Sequence, residues 1–138
     1  MLVVDAGPLV AAAARRDRNH ERCVALLAEA PRPLVVPMLV VTEVALFLAD
    51  RLGPLAEEAF ARSLRDGELI AEPVEPPDWL RIHELQSEYA GLPLGIVDAS
   101  VLTTCERLGA TALATLDRRH FSVVRPRHCD ALTLLPGG

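Results

Sequence analysis

Four carboxylates stand where the surrounding sequence gives an acid little support. Asp5 closes the apolar run LVV, Glu43 lies inside LVVTEVALFL, Asp98 follows GLPLGIV and Asp117 follows TALATL. Neither Asp5 nor Asp98 has a basic residue within four positions, and Glu43 has no arginine within one helical turn. A desolvated carboxylate must protonate, meet a distant arginine or bind a cation. Every neighbour of Glu43 except Thr42 is apolar, so it is expected to be buried, and a core-edge glutamate paired with a distant arginine is the competing structural role. For Asp5, Asp98 and Asp117 the competing role is a helix cap or a dipole partner. Acids gathered at one edge repel each other, and a hard divalent cation removes that repulsion; an oxygen-rich site suits Mg²⁺ or Mn²⁺. An ion held this way acidifies a bound water and neutralises charge on a breaking phosphodiester, so phosphodiester hydrolysis is the leading chemistry.

Other chemistries find less support. The fourteen basic residues are all arginine. The absence of lysine removes P-loop nucleotide binding, Schiff-base catalysis and phosphoacceptor signalling of the lysine-dependent kind. Gly7 occupies the position where a haloacid-dehalogenase-like phosphatase would want a second aspartate. Ser100 has no obvious base, and His120, His128 and Cys129 match no usual zinc spacing. Cys23, Cys105 and Cys129 are odd in number and widely spaced, as expected of reduced thiols. The net charge of −5 argues against general nucleic-acid binding. The arginines are clustered, however, at 15–18, at 118–119 and at 125–127. Arg118 and Arg119, flanking Asp117, could grip phosphates beside a metal.

The elements that must position these groups follow from periodicity and breakers. Residues 2–4 read as a buried strand ending at Asp5, with a helix starting at Gly7 and Pro8. A helix over 19–30, a strand over 34–36 and a long helix over 38–52 opened by Pro37 follow. A helix over 55–64, a strand over 68–72, the connector VEPPD and a helix over 79–89 come next. Val97, Val101, Cys105 and Leu108 mark one helical face ended by Gly109, followed by a strand over 112–116 and a last strand over 122–125. Such alternation predicts a single three-layer α/β/α domain over 1–138 with a mostly parallel central sheet. Asp5 and Asp117 then fall at the carboxyl ends of strands, the edge where open sheets bind ligands. No apolar stretch reaches the length and purity of a membrane span, and the start MLVVD lacks a secretory pattern, so a cytoplasmic protein is expected.

The succession DAG, TEV, GLPLGIVDA and TLDRRHF resembles PIN-domain nucleases, with the VapC-type toxins of toxin-antitoxin pairs the nearest match; it spans essentially the whole chain, and residues 91–121 are its most specific part. This resemblance implies a Mg²⁺- or Mn²⁺-dependent endoribonuclease, usually homodimeric, inhibited by a VapB-type antitoxin whose tail enters the active site. Carried onto this chain, the family's acids are Asp5, Glu43, Asp98 and Asp117. Asp5 and Asp98 would be the principal metal ligands, Asp117 would support the metal partly through water, and Glu43 would position or deprotonate the attacking water. Many relatives carry Ser or Thr where this chain has Gly7, and Thr115 could supply the missing hydroxyl. The rival reading is a PIN-type scaffold that binds RNA or protein without catalysis.

Overall fold

LVV at 2–4 and LVVP at 34–37 are apolar at every position, without the alternation of a half-solvated strand, which calls for cover on both faces. A computed structural model describes residues 1–137 and bears this out; Gly138 lies outside the described residues. The strands are β1 (Leu2–Val4), β2 (Leu34–Pro37), β3 (Ile70–Glu72), β4 (Ala112–Ala114) and β5 (Thr133–Leu135). Between them run α1 (Ala6–Ala13), α2 (His20–Glu29), α3 (Met38–Arg51), α4 (Pro54–Arg65), α5 (Asp78–Glu88), α6 (Ile96–Leu108) and the short α7 (Arg118–Phe121). Every residue of β1 and β2 is buried. The architecture is the three-layer α/β/α fold expected.

All five strands are parallel, in the order β3-β2-β1-β4-β5. From β1 the chain builds outward through β2 to β3, then crosses to the other side of β1 to lay down β4 and β5. The β1/β4 junction is therefore the switch point, where crossovers leave in opposite directions and open a crevice at the carboxyl edge. Its register pairs Val3 with Leu113 and Val4 with Ala114. The ladder extends past both strands, since Asp5 N–H donates to the Ala114 carbonyl at 2.9 Å and Thr115 N–H to that of Leu135 at 2.9 Å.

The helices bury what their spacing dictates. Val40, Val44 and Leu48 form the inward stripe of α3, while α6 is buried continuously from Ala99 to Cys105 and is the central helix of the fold. Its polar residues there are satisfied locally: Thr103 and Thr104 hydroxyls donate to the carbonyls four residues back, both at 2.8 Å. Gly109 ends α6 in the left-handed conformation, φ 70°, that side-chain-bearing residues avoid. A satellite core of Ile82, Leu85, Leu94 and Leu102 joins α5 to α6. Cys23 and Cys105 are buried free thiols and Cys129 is partly exposed, in keeping with reduced cysteines.

The strand expected over 122–125 does not form. Val123 and Val124 N–H groups both bond back to the His120 carbonyl at 3.2 Å, so the segment coils out of α7, with Phe121 and Val124 buried as anchors. β-branched composition suggested a strand, but a tight turn ahead of Pro126 won. The edge strand comes instead from Thr133–Leu135, pairing with β4.

Candidate active site

Asp5 sits where β1 ends, 7% exposed, and its side chain makes no cap bond to the α1 it precedes. Its Oδ2 accepts a hydrogen bond from the Thr115 hydroxyl at 2.9 Å. Thr115, buried at the end of β4, in turn accepts from the Asp117 backbone N–H at 3.0 Å. One hydroxyl thus ties the ends of the two switch-point strands together. Asp98 lies in the first turn of α6, and Asp117 caps α7 by accepting from the His120 N–H at 3.2 Å. Both carboxylates converge on the His120 ring, whose Nδ1 lies 3.1 Å from Asp98 Oδ2 and 2.9 Å from Asp117 Oδ2. Asp98, Asp117 and His120 form a group whose ligand atoms lie within 4.8 Å of one another.

The electrostatics show like charge that is only partly relieved. Burial pushes the Asp5 carboxyl up to about 6, with the charges of Asp98 and Glu43 adding to the rise and the Ala6 N–H and Thr115 hydroxyl opposing it. Asp98 is also raised, by burial and then by Asp117, with His120 working the other way. Partial desolvation and the charge of Asp98 raise Glu43. All four acids therefore share one electrostatic neighbourhood. Elsewhere in the fold half-buried acids meet arginine: Glu106 takes a two-pronged contact from Arg81 at 2.8 and 2.9 Å, and Arg107 holds both Asp78 and Glu72. Among the described residues no arginine pairs with Asp5, Glu43, Asp98 or Asp117. A cluster of oxygen donors that no described arginine neutralises fits a hard divalent ion.

Several expectations change. Glu43 is exposed, not buried. It shares the outer face of α3 with Thr42, Leu46 and Phe47, and the apolar residues that seemed to bury it are themselves partly solvent-facing. The salt-bridge role is not realised either. Arg118 does not reach toward phosphate: its guanidinium donates to the Leu134 carbonyl at 3.3 Å and to that of Pro136, fastening α7 to β5. Arg119 is exposed and makes no hydrogen bond or ion pair among the described residues, so it is the one of the pair left for a ligand. Ser100 is occupied as well, its hydroxyl donating to the Val97 carbonyl at 2.6 Å. Gly7 has a packing reason, because a Cβ there would lie 3.2 to 3.4 Å from three Leu116 side-chain atoms. His120 is the residue the sequence reading missed. As a zinc ligand with His128 and Cys129 it has no usual spacing, whereas its position three residues after a helix-capping aspartate, DRRH, is the signal that places it against Asp117.

A parallel sheet with acids at its switch point is compatible with several families. The PIN domain family profile matches residues 2–125. This chain belongs to the PIN domain family. The match covers all four acids and His120 and stops before β5. The PIN chain is 27% identical over 135 residues to Ribonuclease VapC26 of Mycobacterium tuberculosis, an alignment covering 98% of this chain and 100% of that protein. Two solved structures share its fold. One is Mycobacterium tuberculosis VapC20, a Sarcin-Ricin loop cleaving toxin, with a TM-score of 0.76 at 20% identity over 82% of this chain and 87% of that one. The other is FitAcB from Neisseria gonorrhoeae, with a TM-score of 0.66 at 19% identity over 97% and 96%.

Proposed function

We propose that this PIN-domain protein is a Mg²⁺- or Mn²⁺-dependent endoribonuclease, the toxin of a VapBC-type pair, acting in the cytoplasm as one domain. The observation that carries the reading is the set of four acids at the switch-point edge with no arginine on any of them, in a chain where other half-buried acids are arginine-paired. Ribonuclease VapC26, matched along its full length, supports RNA as the substrate.

Asp5 and Asp98 would hold the ion, with Asp117 assisting through water. When bound, the ion supplies charge neutralisation at the phosphodiester and an acidified water. Thr115 holds Asp5 in place by its hydroxyl. Glu43, exposed at the edge of the cluster with its carboxyl raised, orients the attacking water and takes its proton. Arg119 binds a neighbouring phosphate. A VapB-type antitoxin would inhibit the enzyme by covering this edge. Homodimerisation would cover outward apolar side chains such as Leu46, 68% exposed on α3, and Leu55, 84% exposed on α4.

Incubation of the purified protein with structured RNA in Mn²⁺, in EDTA and as Asp98→Asn tests the reading. Cleavage is expected in Mn²⁺ only, and lost in the variant. Cleavage indifferent to both EDTA and Asp98→Asn would overturn it.

A further inference from the structure

His120 belongs to the tightest group of ligand atoms in the site, yet its surroundings do not suit a ligand. Its Nδ1 lies between two carboxylate oxygens, Asp98 Oδ2 at 3.1 Å and Asp117 Oδ2 at 2.9 Å. Both are acceptors, so that nitrogen carries the proton. Its Nε2 is buried with no hydrogen-bond partner among the described residues. A proton on Nε2 would be an orphan donor, costlier than a bare lone pair. A metal-bound imidazole, by contrast, donates its other N–H to an acceptor that fixes the ring. For Nδ1, the nitrogen that faces the acids, to ligate, that other N–H would be on Nε2, and no acceptor meets it among the described residues.

Resting on the metal-dependent reading above, we propose that His120 is a positioning residue outside the metal's own ligand set, whose Nδ1–H clamps Asp98 and Asp117 into convergence. Asp117 depends on it most. Its side chain is 39% exposed, and both of its oxygens are engaged by this one residue, Oδ1 by the backbone N–H and Oδ2 by the ring. The ring takes only one oxygen of Asp98, Oδ2, and leaves the other to a ligand. Hydrogen bonds of this kind to ligating carboxylates orient them, and losing one typically weakens metal binding about 10- to 100-fold. The substitution His120→Ala keeps the backbone cap on Asp117 and deletes the clamp. In His120→Asn the amide nitrogen can stand where Nδ1 stood.

The test combines Mn²⁺ titration calorimetry on the wild type, His120→Ala and His120→Asn with ¹⁵N-imidazole NMR of the metal-free wild type. Binding about 10- to 100-fold weaker in His120→Ala, substantial recovery in His120→Asn and an Nδ1–H tautomer are expected. Unchanged or tighter binding by His120→Ala overturns the clamp, as does a His120→Asn no better than alanine, which would fit a ligand. Failure of the wild type to bind Mn²⁺ overturns the metal reading instead. The NMR decides the clamp in that case too, since an Nε2–H tautomer would be incompatible with it.

Discussion

Asp5 is the acid whose environment costs the protein most when no cation is bound. Its carboxyl titrates at about 6 in the fold against an ordinary 3.8. Below the lower value the group is protonated folded and unfolded alike and contributes nothing. As pH rises from 3.8 to 6 the unfolded chain releases the proton first, so folding loses stability, and above 6 the loss is complete at about 3 kcal/mol. Asp5→Asn removes that penalty. In EDTA the melting temperature of Asp5→Asn relative to wild type is expected to be near zero at pH 4 and to rise by several degrees by pH 7. A difference that stays flat with pH would show that Asp5 is not the strained carboxyl. Glu43 behaves differently because it is exposed: Glu43→Gln should change metal-free stability by less than about 0.5 kcal/mol in the same melts while abolishing RNA cleavage. The positions of these acids were legible because each interrupts an apolar run. Their burial was not, because an apolar neighbour in sequence is not a neighbour in space: one turn of α3 carries both the buried Val44 and the exposed Glu43.

At the scale of elements, two junctions carry the site. The first is the approach of α1 to the segment after β4, where Gly7 faces Leu116. Gly7→Ser adds a Cβ 3.2 Å from the Leu116 Cβ and should destabilise by about 1–3 kcal/mol in urea melts. Leu116→Ala in the same chain should recover part of that loss, and strictly additive effects of the two changes would exclude the contact. The second junction is α5 on α6, held by Arg81 and Glu106, whose side chains are 11% and 10% exposed. Truncating Arg81 to Ala leaves Glu106 half-buried without its main partner and should cost about 3–5 kcal/mol by the same melts; a loss below 1 kcal/mol would mean that the pair is effectively solvated. Both helices and most strands could be read from spacing and from Pro and Gly breakers. The last strand could not, since Val123–Val124 and Leu134–Leu135 look alike in composition. What separates them is that β4 has a free edge for the second pair and a turn back to His120 for the first, which are facts of tertiary structure.

At the scale of the whole molecule, folding and the proposed chemistry pull against each other at one edge. The topology delivers Asp5 and Asp117 to the same switch point and the start of α6 delivers Asp98. No described arginine reaches these acids, and the hydrogen bonds that Thr115 and His120 supply offset the cost of their burial and mutual repulsion only in part. A bound cation would reverse the sign of that contribution, because ligand that binds only the folded state stabilises it by about 4.1 kcal/mol at a concentration of about 1,000 times its Kd, more than the penalty of about 3 kcal/mol on Asp5. The consequence is an inversion of rank. At pH 7 in EDTA, Asp5→Asn should melt above the wild type, since it lacks the buried carboxylate. In saturating Mn²⁺ the wild type should gain several degrees and overtake a variant that has lost a principal ligand. Thermal melts of the two proteins under the two conditions decide it. If Mn²⁺ moves both curves equally, Asp5 holds no metal; if it moves neither, the acids have been gathered at this edge for some purpose other than an ion.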